Sequence, residues 1–220
     1  MVAYASRTGT KRNLAALRAA GWRLMVSAKG RHRTEGFPYA LDNGAWWAHQ
    51  TGLPFDSVAF WEVYRRFGDG ADFVVLPDIV GGGLRSLVFS LRWRARMEWR
   101  CPQLLAVQDG MTPALVATFV DVGPDLGIFV GGTTEWKERT LPAWGKLAKA
   151  RGAYLHVGRV NTARRIELCA LVGAHSFDGS SASRYVATLP LLDGARRKYG
   201  SPAQLRPPHE GAGGPDAQGD

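Results

Sequence analysis

Residues 154–180, YLHVGRVNTARRIELCALVGAHSFDGS, hold one complete unit of the pattern that decides the fold. An apolar run, Tyr154–Val157, is too short for a helix and ends in a polar Gly-Arg loop. Thr162 then stands where a helix N-cap is needed, its side-chain oxygen free to accept from an amide of the first turn. The helix predicted over Ala163–Val172 stops at Gly173, the residue that most readily takes the left-handed cap. A second short run, Ser176–Asp178, follows at once. Strand, loop, helix and strand in this order make a parallel βαβ unit.

Working outward, the same unit recurs. Further apolar runs are Val2–Ser6, Arg23–Ala28, Tyr39–Asp42, Phe73–Asp78, Leu104–Asp109 and Gly127–Gly131. Between them, Leu14, Leu17 and Ala20 share one helical face, as do Val58, Trp61 and Tyr64, and Leu84, Leu87, Val88 and Leu91. Thr112-Pro113 puts an N-cap before a proline at the first helical position. Eight strands alternating with helices predict an α/β fold, a compact single-domain (β/α)8 TIM barrel over residues 1–200. Such barrels usually take ~250 residues, so some units must be cut short. The structural alternative is an open flavodoxin-like or Rossmann sheet. Gly81, Gly82 and Gly83 lack the GxGxxG spacing and an acidic partner ~20 residues on, which counts against a dinucleotide site.

Composition bounds the rest. The 45% hydrophobic content can fill a core. Residues 201–220, SPAQLRPPHEGAGGPDAQGD, are rich in Pro and Gly and poor in large apolar side chains, so a disordered tail is expected. Cys101 and Cys169 form neither a CxxC pair nor a Cys/His cluster, which argues against structural zinc and a disulfide framework and fits a cytoplasmic protein. No apolar run reaches the ~18 residues of a membrane span, and no signal-peptide core is visible at the start. The formal net charge is +9, and the final twenty residues set only Arg206 against Glu210, Asp216 and Asp220, so the basic surplus lies in the body. Such a surplus suits a polyanionic partner, against the simpler reading of a soluble, basic surface.

In a TIM barrel the chemistry sits at the carboxyl ends of the strands. Here those ends read Asp42-Asn43-Gly44, Pro77-Asp78, Gln108-Asp109-Gly110, Gly131-Gly132, His156-Val157-Gly158-Arg159 and Asp178-Gly179-Ser180. One aspartate at such a place is explained by turns and caps. Several on one rim permit substitution at a sugar carbon, one carboxylate attacking while another carries protons. Gln108 offers a donor and an acceptor to a purine edge, and Gly131 and Gly132 let backbone approach a flat ring. His156 divides evenly between a pocket contact and a core histidine. Phe37, Tyr39, Trp46, Trp47 and Trp136 are candidates to stack on a base, against the simpler role of packing. Basic residues gather in the rim loops: Arg7, Lys11, Arg12, Lys29, Arg31, His32, Arg33, Lys137, Arg139, Arg159, Arg164, Arg165 and Arg184. Such a collar suits a phosphate backbone.

These residues carry a family resemblance. ALDNGAW (40–46), LPDIVGG (76–82), LLAVQDG (104–110), GIFVGGTTEWK (127–137), YLHVGRVNTARRI (154–166) and HSFDGSSASRY (175–185) together resemble the ordered motifs of guanine transglycosylases. These are the queuine/preQ1 tRNA-ribosyltransferases, and above all their short phage and bacterial relatives that insert 7-deazaguanines into DNA. The resemblance implies Asp178 as nucleophile and Asp42 as general acid/base. It implies Asp78 and Gln108 bonded to the base, and the backbone of Gly131 and Gly132 against its ring. The implied reaction exchanges guanine for a 7-deazaguanine such as preQ0, without a cofactor. The Cys3His zinc extension of the tRNA enzymes has no counterpart here, which favours DNA over tRNA, or a partner protein or homodimer that supplies the grip. Asn43, Ala45 and Asp109 depart from the family pattern. Two alternatives stand beside this reading: a nucleoside or nucleic-acid N-glycosidase on the same barrel, and a non-catalytic nucleic-acid-binding subunit.

Overall fold

The computed structural model describes residues 1–6 and 10–200. Arg7 of the collar and the expected tail at 201–220 lie outside the described residues. Eight strands close into one barrel in sequence order: β1 (Val2–Ser6), β2 (Arg23–Ser27), β3 (Tyr39–Asp42), β4 (Ala71–Val75), β5 (Gln103–Val107), β6 (Leu126–Val130), β7 (Leu155–Val157) and β8 (Ser176–Gly179). Every pairing is parallel, and β8 closes on β1 with Asp178 beside Tyr4. The expected barrel is therefore the fold, and the open sheet is not.

The helices are α1 (Lys11–Ala19), α2 (Ala45–Thr51), α3 (Ser57–Phe67), α4 (Leu84–Arg96), α5 (Pro113–Ala117), α6 (Thr134–Arg151), α7 (Ala163–Leu171), α8 (Ser181–Arg184) and α9 (Leu189–Tyr199). The capping residues act as expected. Thr112 accepts from Leu115 N, Thr162 accepts from Arg165 N, and Gly173 takes φ +73° after α7. The shortening also has a location: β2 and β3 are joined by residues 28–38 with no helix, and α5 has only five residues.

Alternate strand residues divide into two cores, as the twofold strand period requires. Val2, Tyr4, Met25, Ala40, Phe73, Val75, Leu104, Ala106 and Tyr154 plug the barrel interior. Their neighbours, such as Leu24, Leu41, Val74, Leu105, Ile128, Leu155 and Phe177, face the helices. Two expected faces are corrected: in α4 Leu84 is exposed although Leu87 is buried. In α3 Tyr64 is buried, but Val58 and Trp61 are exposed, and Phe60 and Val63 turn inward instead. The inward stripe wins because Phe60 and Tyr64 join Phe55, Trp93 and Trp99 in an aromatic cluster with centroids 5.1–6.2 Å apart. Strand β4 stops before Pro77, which has no N–H to continue the ladder.

Two helical glycines should respond oppositely to alanine. A Cβ on Gly145 of α6 would lie 2.5 Å from the carbonyl oxygen of Val172, a backbone atom that cannot step aside. Overpacking costs roughly 1–3 kcal/mol, more than the ~1 kcal/mol that alanine gains in helix propensity. Gly145→Ala is thus expected to lower Tm by a few degrees. Gly194 in α9 is exposed and a Cβ there meets nothing within 4 Å. Gly194→Ala should stabilise by about 0.5–1 kcal/mol. Thermal melts of the two variants test the pair, and equal shifts would contradict the packing described.

Candidate active site

The carboxyl ends of the strands surround a cavity of about 600 Å³. Asp42, Asp78, Gln108, Gly131, Gly132 and Asp178 all line it, so six residues distant in sequence meet in one place. Trp46, Arg31, Arg159 and Arg184 line it as well.

Asp178, on β8, is held from behind. Its Oδ1 lies 3.0 Å from His156 Nε2 and accepts from Arg159 N at 3.3 Å. The other ring nitrogen of His156 lies 2.7 Å from Ser176 Oγ. His156 is 0% exposed and its ring stacks on Phe129 at 4.9 Å. Burial lowers its pKa, although Asp178 pulls the other way, so the neutral ring is favoured. A neutral ring that donates from Nε2 to Asp178 and accepts at Nδ1 from Ser176 satisfies both contacts. Of its two readings, His156 takes the core one: it is buried, lies outside the cavity lining and orients Asp178, so its candidate contact to the base is corrected.

Asp42 and Asp78 are less comfortable as anions. Burial pushes Asp42 up to about 6. Hydrogen bonds from Ser27 and from the Gly44 and Asn43 amides oppose this, and the nearby Asp178 charge adds to it. Burial pushes Asp78 up to about 7, against the Asn43 amide and with the Asp42 charge. Asn43 is the brace between them. Its Nδ2 donates to Asp78 Oδ1 at 2.8 Å and to Leu76 O at 2.7 Å, while its Oδ1 accepts from Ala45 N at 2.8 Å. Ser27 sits in register with Asp42 on the neighbouring strand.

Raised carboxyls give an inverted pH dependence. The folded state holds a proton on Asp78 that the unfolded chain has released, so stability falls as pH rises from about 4 to about 7. Asp78→Asn keeps the shape and cannot ionise. Urea melts should show its stability relative to wild type improving by about 2 kcal/mol between pH 5 and pH 8. No change in that difference would mean Asp78 is hydrated and ordinary.

Several expected contacts are otherwise employed. Gln108 Oε1 accepts from Gly81 N at 2.6 Å and its Nε2 donates to Ile79 O at 2.8 Å, so both ends of the amide hold the 79–81 turn rather than face a base. Gly131 N donates to Val107 O in the barrel wall. Gly132 has φ +72°, and a Cβ there would lie 2.6 Å from the Trp136 ring and 2.7 Å from Asp109 Oδ2, so only glycine fits. Asp109 clamps the same turn, accepting from Thr133 N and Thr133 Oγ1 at 2.7 Å each.

The collar divides. Arg31 and Arg184 are exposed and line the cavity; Arg33 is exposed on the same loop as Arg31, outside the wall. Lys29 pairs with Asp56 and lies over the Trp47 ring at 4.6 Å. Arg159, whose backbone sits at φ +58°, lies over Trp46 at 4.3 Å and donates to Gly132 O. Lys137 is the clear correction. It is 5% exposed, donates to Gly158 O, and cannot reach a phosphate. It falls on the inward stripe of α6 with Leu141, Trp144 and Ala148, which overrides its charge. Burial, then the Arg159 charge, lowers its pKa to about 8. Arg139 pairs with Glu135, and Arg164 and Arg165 with Glu138. Of the aromatic candidates, Trp46 lines the cavity, whereas Phe37 and Trp136 are buried packing residues. Tyr39 begins its strand, so it lies at the opposite end of the barrel and donates to Phe67 O.

Sequence reasoning missed Ser27, Ser176 and the bracing role of Asn43. The signal for Asn43 was its place one residue after a strand-end aspartate, where a short amide bonds its own turn. Among the described residues no His, Cys, Asp and Glu cluster could hold a metal, and no helix is long and apolar enough to cross a membrane. No protein-family model matches the chain, and no curated protein matches it. The crystal structure of RipC from Yersinia pestis is similar over 94% of this chain and 98% of that one, with 13% identity and a TM-score of 0.47, a likeness too loose to bear on function.

Proposed function

We propose that the chain is a base-exchange transglycosylase that replaces guanine in a polynucleotide, DNA ahead of tRNA, with a 7-deazaguanine such as preQ0. The observation that carries the reading is one pocket in which two carboxylates have unequal surroundings. Asp178 is oriented by His156 and the Arg159 amide, and Asp42 is held near the pKa at which it can both give and take a proton.

Asp178 attacks C1′ of the sugar as the C1′–N9 bond breaks. The electron pair leaves with guanine, and the proton of Asp42 goes to the departing base. The incoming 7-deazaguanine gives its N9 proton to Asp42, its nitrogen attacks C1′, and the ester to Asp178 breaks. Two inversions restore the β-configuration, and one N-glycoside replaces another with no energy source. The six-residue constellation at the strand ends and the exposed Arg31 and Arg184 support this reading.

The test supplies labelled guanine or preQ0 with DNA and tRNA side by side. Incorporation into polynucleotide, greater into DNA, is expected. Release of free base without incorporation would replace exchange by hydrolysis, and no reaction on either would remove the reading.

A further inference from the structure

Two indoles are neighbours on α2 and both are partly open to solvent: Trp46 is 40% exposed and Trp47 is 38% exposed. Each has a cation over its ring, Arg159 over Trp46 at 4.3 Å and Lys29 over Trp47 at 4.6 Å. Trp46 also lines the cavity, so this aromatic step is continuous with the site. Arg31 and Arg184 also line the cavity, and their exposed guanidinium groups make no hydrogen bond or ion pair to any described residue.

We infer that Trp46, Trp47, Arg31 and Arg184 form a track for an unpaired polynucleotide strand beside the base that enters the pocket. The inference rests on the proposed reading only in placing a base there. Exposed aromatic faces beside unpaired cations are what a single strand requires: its bases stack and its phosphates need charge. A paired duplex has only the second need, since its bases already stack on each other. Asp42, Asp78 and Asp178 also line a cavity inside the strand ends, so a base must leave its stack to touch them. A second copy of this chain is a poor occupant, because the net charge of +9 makes like surfaces repel.

The experiment measures binding of the full chain to a labelled 15-residue oligonucleotide by fluorescence anisotropy, with no free base present. The strand is supplied as DNA, as RNA and as the DNA duplex, with polyglutamate as a competitor. Either single strand should bind roughly tenfold or more tighter than the duplex, and polyglutamate should compete poorly. Trp47→Ala should weaken single-strand binding about tenfold or more while leaving the salt slope unchanged. Arg31→Gln and Arg184→Gln should each flatten the log–log slope by roughly 0.7. Trp61→Ala, an exposed indole on α3 outside the cavity wall, should change nothing. Duplex binding as tight as single strand, full affinity in Trp47→Ala, or equal competition by polyglutamate would overturn the track. A chain that binds single strands but exchanges no base would leave the track standing and remove the transglycosylase reading. Exchange confined to duplex would do the reverse.

Discussion

Asp178→Asn should abolish both the covalent sugar adduct and base exchange, with turnover falling on the order of 10⁴-fold or more, as when a nucleophile is removed from an enzyme built around one. The variant should remain folded. An asparagine carbonyl at the same position still accepts from His156 and from the Arg159 amide, so nothing buried loses its partner. Asp178→Ala is the harsher change, because it leaves the wholly buried His156 with an unmatched donor. The measurement is a trap. Wild type and Asp178→Asn are incubated with nucleic acid and a 9-deazaguanine-type analogue, then run on denaturing gels. A shifted band is expected from wild type alone. A band from Asp178→Asn would show that another group attacks the sugar.

Asp42→Asn should fail differently. In the proposed reaction it removes the proton carrier and leaves the nucleophile, so exchange should drop by roughly 10²–10⁴-fold while some adduct still forms. The pH profile carries the sharper content. With Asp42 at about 6, the acid form that would protonate the departing guanine in the proposed reaction is lost as pH rises through 6. Its base form, which accepts the incoming proton, is lost as pH falls through 6. Adduct formation in a single turnover should therefore decline above pH 6, and adduct resolution should decline below it. Asp42→Asn should flatten both limbs. Because Asp42 raises Asp78, the apparent values belong to the coupled pair. Limbs that persist in Asp42→Asn would assign the proton elsewhere.

The strands and the rim aspartates were legible because each depends on local chemistry. A threonine cap, a stop glycine and a run of alternating apolar residues act within a few positions, and all eight strands fall within a few residues of their expected bounds. What the side chains at the rim face was not legible. Lys137 carries the charge of a rim residue but sits at the phase of an apolar stripe, and phase decides. Gln108 and His156 are the right types for touching a base. Their hydrogen bonds go to Gly81, Ile79, Ser176 and Asp178, partners up to 29 residues away that spacing alone does not bring near. Tyr39 was misplaced for a simpler reason: it starts its strand, and strand direction assigns it to the far end.

The connection at residues 28–38 separates two tasks that most surfaces combine. It bears Lys29, Arg31 and Arg33, yet no strand or helix of the barrel runs through it. It is tied to the barrel at separate points: Ala28 N to Asp42 O, Leu24 N to Pro38 O, Lys29 to Asp56, Arg18 to Glu35 O, and buried Phe37 beneath the Arg18 guanidinium at 4.1 Å. Doubling such a loop costs only about 0.6 kcal/mol in closure entropy. Lineages or designers can therefore lengthen, recharge or exchange this segment to retarget the molecule, while Asp42 and Asp178 stay fixed on the strands. Reach can diverge here while the reaction stays the same.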